Sequence, residues 1–179
     1  MTLMNIIRER RSIRKFEDRE VPLDLQNQLL EAVQWSQSWA NTQCWEVILV
    51  QDPGIRTRLQ ETMSKGNPAT KAIVEAPLLL GLAGKLRTSG YYKGEAPTKY
   101  GDWFLFDLGM ATQNLCLAAQ DLGLGSVVVG LFDHDAARDV LQIPPEFELP
   151  VLIPLGYPAQ SPKAPKRREI KEFTHYDTF

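Results

Sequence analysis

Seven consecutive residues, Arg10-Arg11-Ser12-Ile13-Arg14-Lys15-Phe16, gather three guanidinium groups, an ammonium and a hydroxyl in one short stretch. That set suits a phosphate, because arginine grips it through two parallel N–H groups and serine adds a neutral donor. A second set, Ser38-Trp39-Ala40-Asn41-Thr42-Gln43-Cys44-Trp45, offers uncharged amides between two indoles. It suits a polar heterocycle or a polyol, although a turn capped by Asn41 accounts for it nearly as well. A third set is the basic tail of Lys163, Lys166, Arg167, Arg168 and Lys171. With Arg8, Arg10, Arg11, Arg14 and Lys15, ten of the 20 Lys and Arg residues fall into two short segments at opposite ends of a chain whose net charge is only −2. Such a distribution fits one anionic ligand gathered from both ends, or else two solvated charge clusters.

Other chemistries are excluded or weakened. Gly123-Leu-Gly125 with Gly130 lacks the spacing of a dinucleotide-binding loop and precedes a strand rather than following one. There is no Walker A sequence, no His-Glu-x-x-His and no Gly-x-Ser-x-Gly, which removes the common phosphate loops, zinc proteases and serine hydrolases. Cys44 and Cys116 form no Cys-x-x-Cys pair, and with His134 and His175 they make no convincing zinc site, so no metal is expected. Cys44 reads as a small buried hydrophobe. The longest apolar runs, 77–83 and 126–131, fall far short of the ~20 residues that a bilayer-spanning helix needs. The N-terminal apolar residues are broken by Arg8, Glu9, Arg10 and Arg11, which leaves no signal-peptide core, and the expected address is cytoplasmic. An overall negative charge and the lack of a basic stripe interleaved with aromatics argue against nucleic acid as a partner.

The elements that must position these residues follow from periodicity and caps. Thr2 caps a first helix whose stripe is Leu3, Ile6 and Ile7, and the basic motif begins where that helix ends. Leu25, Leu29, Leu30 and Val33 predict a second helix over 22–36. Residues 46–50 read as a strand, Asp52-Pro53 starts a helix, and Asn67-Pro68 starts a shorter one ending near Pro77. The run 77–83 reads as a strand buried on both faces, and 84–102 as a long loop. From 103 to 122 a helix is apolar on most sides, with Ala111, Ala118 and Ala119 small enough for another helix to approach, so it is a candidate central or dimer-interface helix. A short strand at 126–129, a helix capped by Asp133 or Asp135 and a last strand at 151–155 complete an α+β chain with a helical majority.

Four segments in this order resemble the FMN-dependent nitroreductase and flavin reductase family. They are 10–16, then 36–45 followed by a strand, then 117–130 (LAAQDLGLGSVVVG), and Leu155-Gly156-Tyr157-Pro158 ahead of the basic tail. The resemblance implies one domain over 1–179, with a central mixed or antiparallel sheet surrounded by helices. It also implies a homodimer with a swapped C-terminal arm (157–179) and FMN bound at the interface. Arg10 and Ser12, with Arg11 beside them, would take the phosphate, and Arg14 would give electrostatic support at the ribityl and N1/O2 edge. Ser38, Trp39, Ala40, Asn41 and Gln43 match the loop that reaches the cofactor from the partner subunit. Val128, Val129 and Gly130 match the turn whose N–H groups approach N5 and O4, and Lys166 and Arg167, or Arg168 in a shifted register, match the C-terminal phosphate clamp.

The implied activity is hydride transfer from NADH or NADPH onto the flavin and on to a nitroaromatic, quinone or flavin acceptor by a ping-pong mechanism. The alternative is a flavin-binding module, or a different reaction of the same flavin. Tyr91, Tyr92, Tyr100 and Trp103 would wall the ring, or simply pack the 84–102 loop. The sequence departs from the family where Gln37 and Cys44 replace prolines, where Trp39 is bulkier than usual, and at Glu169 in the tail.

Overall fold

The computed structural model describes residues 2–179. Six α-helices, two short 3-10 turns and four strands follow one another as α1 (Leu3–Glu9), α2 (Leu23–Gln34), a turn at Trp39–Asn41, β1 (Trp45–Leu49), α3 (Pro53–Glu61), α4 (Ala72–Glu75), β2 (Leu78–Lys85), α5 (Phe104–Asp121), β3 (Gly125–Ser126), α6 (His134–Leu141), β4 (Phe147–Gly156) and a turn at Ile170–Glu172. The sheet is antiparallel at every pairing, in the order β1-β2-β4-β3. No helix of the described residues is long and apolar enough to cross a membrane.

Helices cover both faces of the sheet, and the period of two along β2 explains why. Leu78, Leu80 and Leu82 join Leu29 and Val33 of α2 and Leu108, Ala111 and Leu115 of α5 in one core. Leu79 and Ala83 face the opposite way, into a core with Leu59 of α3, Ile73 of α4 and Ala137 of α6. Each leucine so buried stabilises the fold by about 2 kcal/mol. Gly84 lets the start of α5 lie on the sheet, because a Cβ there would sit 2.5 Å from Phe104 and 2.8 Å from Leu108.

Three predicted caps form as expected. Thr2 Oγ1 accepts from Asn5 N (3.3 Å), Asp52 Oδ1 from Ile55 N (2.8 Å) and Asp133 Oδ1 from Ala136 N (3.0 Å). Other expectations change. The Asn67-Pro68 signal does not begin a helix: Asn67 Oδ1 accepts from Ala69 N in a local turn, and α4 starts five residues later. The last strand is longer than predicted, Phe147–Gly156 instead of 151–155, because it runs back through Pro150. The register skips a residue opposite 149–150, so Pro150 stands at a bulge, where its missing N–H leaves no gap in the ladder. The expected strand at 126–129 shrinks to Gly125–Ser126 plus one bridge between Val129 and Leu152. Helix α5 is not buried all round: Leu105 and Phe106 are each 59% exposed, while Ala111 and Ala119 are fully buried on the side of α2.

Candidate functional site

The basic motif leaves the end of α1 and lies along the β3 edge of the sheet. Ile13, 6% exposed, anchors it: its N–H donates to Ser126 O (2.9 Å), and its side chain covers Gly125, where a Cβ would meet Ile13 Cγ1 at 2.6 Å. Ser12 bridges Ser126 in parallel, and the alternation of an extended chain turns Ser12 and Arg14 away from the side Ile13 buries. Just beyond, Glu17 N donates to Tyr157 O (2.9 Å) and Ala159 N to Lys15 O (3.0 Å), so the C-terminal arm departs from the same place.

The backbone after β3 alternates as well. Val127 N donates to Pro154 O (3.2 Å), and Val129 exchanges two hydrogen bonds of 2.9 Å with Leu152. The Val129 N–H is therefore engaged inside the sheet and cannot serve a ligand, which corrects the role expected for it. The N–H groups of Val128 and Gly130 fall on the open side, and neither has a partner among the described residues.

The clustered cations are unpaired. Among the described residues the only side-chain ion pairs are those of Arg138 with Asp135 and Glu148. Arg14 Nε is buried without a hydrogen-bond partner, which is costly unless something accepts from it. The two basic ends do meet: Arg8 and Arg11 line a groove of about 790 Å³ with Lys166, Arg167 and Arg168, between Met4, Ile7 and Phe173. Arg10, Ser12 and Arg14 lie outside that groove, so within one chain the tail faces Arg11 rather than the expected phosphate pair. Arg11 Nη1 donates to Arg8 O (2.6 Å) and Arg10 O (2.8 Å), and Arg168 folds back on its own arm, donating to Glu172 O and lying over the Phe173 ring.

The second candidate set forms a tight loop before β1. Ala40, Asn41 and Gln43 all adopt left-handed φ (45°, 57° and 49°) without a glycine among them, a conformation that neighbours must enforce. Ser38 Oγ accepts from Gln43 N (2.9 Å), and Trp39 packs on Trp103 with centroids 5.3 Å apart. Asn41 and Gln43 are exposed. Cys44 is 4% exposed, and burial, followed by the charge of Asp107, pushes its thiol up to about 12. It is a small buried side chain, as the sequence suggested, with an unreactive thiol.

The structure does not bring the two sets together. The loop adjoins β1 and the basic motif adjoins β3, the two outer strands of the sheet, which three inter-strand spacings hold roughly 14 Å apart. Helix α5 touches both, through Asp107 at one end and through Cys116, close to Arg10 and Ser126, at the other.

A model of the Nitroreductase family matches residues 7–157. The chain belongs to that family. Of its relatives, a protein of Methanothermobacter thermautotrophicus named as an NADH dehydrogenase/NAD(P)H nitroreductase is 30% identical over 167 residues, covering 90% of this chain and 80% of its own. An iodotyrosine deiodinase of Thermotoga neapolitana is 24% identical over 186 residues, covering 99% and 98%. An FMN-dependent nitroreductase of Clostridium difficile R20291 superposes with a TM-score of 0.81 at 23% identity, covering 98% and 99%.

Two residues beside these sets escaped the sequence reading. Ser126, 2% exposed, carries a hydroxyl without a hydrogen-bond partner next to the Ser12 backbone. Asp107 is 1% exposed, and both its oxygens accept from Trp39 N at 3.1 Å. The only sequence signal for Asp107 was a carboxylate inside an otherwise apolar helical stripe.

Proposed function

We propose that this chain is an FMN-dependent oxidoreductase that takes hydride from NADH or NADPH and reduces a nitroaromatic, quinone or flavin acceptor by a ping-pong mechanism. The observation that carries the reading is the β3 edge, where unpaired Arg10 and Arg14, the Ser12 hydroxyl and the open N–H groups of Val128 and Gly130 stand together. An anion joined to a flat, hydrogen-bond-accepting heterocycle satisfies all of them. The buried, partnerless Nε of Arg14 fits such a ligand better than it fits solvent. Names of relatives that pair NAD(P)H with nitroreductase activity support the same reading.

Bound FMN would supply the hydride chemistry, which needs no titrating side chain. The chain's part is to bind and orient. Arg10 and Ser12 hold the phosphate with Arg11 beside them, and Lys166 and Arg167 of the arm add positive charge from the Arg11 side. Arg14 places a positive charge at the pyrimidine edge, where the reduced ring gains electron density. Gly130 and Val128 present N–H groups that fix the ring's rotation. Ser38, Trp39, Ala40, Asn41 and Gln43 lie on the wrong sheet edge to serve the same molecule, so they serve a second copy's site, and the enzyme works as a homodimer. The exposed Leu105 and Phe106 of α5 supply an apolar face for that contact.

The test is an anaerobic absorbance titration of the purified protein. Flavin bands that bleach with NADH or NADPH and return with a quinone or nitroaromatic support the reading, and parallel double-reciprocal lines support the ping-pong order. A protein that binds no FMN ends it. The near-full-length likeness to an iodotyrosine deiodinase favours one second reading, a different reaction of the same flavin. Reoxidation by a halogenated tyrosine but not by quinones would select it.

A further inference from the structure

The loop from Ser38 to Gln43 has no glycine, yet it bends through three left-handed residues, so something outside it must hold its shape. Its own hydrogen bond from Gln43 N to Ser38 Oγ closes the turn but does not attach it to the body. The attachment comes from Asp107, which sits in the first turn of α5 and is 1% exposed. Both carboxylate oxygens lie 3.1 Å from Trp39 N, and the Cys44 thiol donates to Oδ2 from 3.6 Å, so one side chain grips the loop on both flanks. No lysine, arginine or histidine among the described residues pairs with this carboxylate. A buried anion without a counter-ion depends on its hydrogen-bond donors, and here both donors belong to the loop. The aromatic packing of Trp39 on Trp103 and of Trp103 on Phe106 (5.4 Å) places the same residues around a cleft of about 250 Å³ that Asp107 also lines.

We infer that Asp107 is a positioning residue: by holding the Trp39 N–H and the Cys44 thiol it sets the left-handed loop that carries Asn41, and so sets how tightly the partner subunit's flavin is held. The inference rests on the interface site proposed above and adds a residue to it from the far end of α5.

The experiment compares the 179-residue chain with its Asp107→Ala, Asp107→Asn and Asp107→Leu variants by two readouts, after confirming that each variant keeps the parent's oligomeric state. The first is amide hydrogen exchange at Trp39, which needs no ligand. Asp107→Ala should speed it about tenfold or more, the factor expected when a charge-assisted hydrogen bond is lost, while amides in the middle of α5 stay as slow as before. The second is FMN affinity by quenching of flavin fluorescence, which should weaken by about ten- to a hundredfold. Asp107→Asn keeps one oxygen acceptor at the same volume and should restore most of both, which a role in charge alone would not predict. Asp107→Leu, which fills the site without an acceptor, should behave as Asp107→Ala, which a role in packing alone would not predict. Unchanged exchange at Trp39 in Asp107→Ala overturns the inference whatever the ligand. Faster exchange with unchanged FMN affinity also overturns it, leaving Asp107 a loop anchor only. If the parent protein itself binds no FMN, the flavin reading falls, and the exchange readout still decides whether Asp107 sets the loop. Should Asp107→Ala fail to fold, Asp107→Leu carries the test: unchanged exchange at Trp39 or unchanged FMN affinity overturns the inference, and failure of both variants to fold assigns Asp107 to folding and overturns it as well.

Discussion

Ser12 and Ser126 lie side by side in a parallel bridge, with the Ile13 N–H donating to the Ser126 carbonyl at 2.9 Å. One backbone bond thus joins the N-terminal basic motif to the open stretch of sheet edge that continues from β3. The phosphate-binding side chains and the ring-facing N–H groups proposed for FMN are placed by the same contact, so disturbing it should loosen both.

Gly125→Ala tests that coupling. A Cβ at this position would press on Ile13 Cγ1 at 2.6 Å and Cβ at 2.8 Å, and Ile13 is branched and buried. The variant should lose about 1–3 kcal/mol of stability in urea melts, the usual cost of overpacking, and should lose bound flavin in the same step. Melting like the parent's with flavin retained would show that the motif has room to move.

Arg10→Ala and Arg14→Ala should behave differently from Gly125→Ala. Neither arginine makes an ion pair, so stability in urea melts should change little, by about 0.5 kcal/mol or less. FMN affinity should fall by about ten- to a hundredfold for Arg10→Ala, measured by fluorescence quenching. For Arg14→Ala the midpoint potential of bound flavin should drop, because a cation stabilises the electron-rich reduced ring; about 30 mV corresponds to 1.4 kcal/mol in a two-electron couple.

Cys44 provides a pH test with a defined sign. Its thiol is raised from 9.0 to about 12 by burial and then by Asp107. An acid whose folded pKa is raised keeps its proton when the unfolded chain has lost it, so its contribution to stability is full below pH 9 and is lost between pH 9 and 12. Urea midpoints of the parent should fall more steeply from pH 8 to 10.5 than those of Cys44→Ala, with parallel behaviour below pH 8. The thiol should also resist alkylation at pH 8 until the protein unfolds.

Leu105→Glu tests the assembly. Leu105 is 59% exposed on α5 and contributes nothing to the core, so the variant should fold, run as a monomer in sedimentation and retain no flavin. A monomeric variant that still holds FMN would mean the loop before β1 serves its own chain's site or none.

Most local structure was legible in the sequence because its causes are local. Thr2, Asp52 and Asp133 cap helices through bonds spanning three residues. The apolar run at 77–83 gave a doubly buried strand for the same reason. Pro150 was read less well: the strand was expected to begin after it, at 151, and only the register with β2 reveals the bulge that accommodates it. The basic motif was visible as chemistry, but the engagement of the Val129 N–H with Leu152 depends on which alternate residue faces β4. Asp107 was illegible because its partners, Trp39 and Cys44, lie 68 and 63 residues away.

Helix α5 makes contact with one half-site at Asp107 and the other at Cys116, about 13 Å apart along its axis. Its length and phase therefore act as a gauge block. A residue inserted between those positions would advance one end by about 1.5 Å and turn it by roughly 100° relative to the other, so that Asp107 and Cys116 could not both face their partners. An insertion near Gly94, where a Cβ would meet nothing, changes neither dimension. Length variation in relatives of this chain should accumulate in the stretch before α5 and be barred from its middle turns.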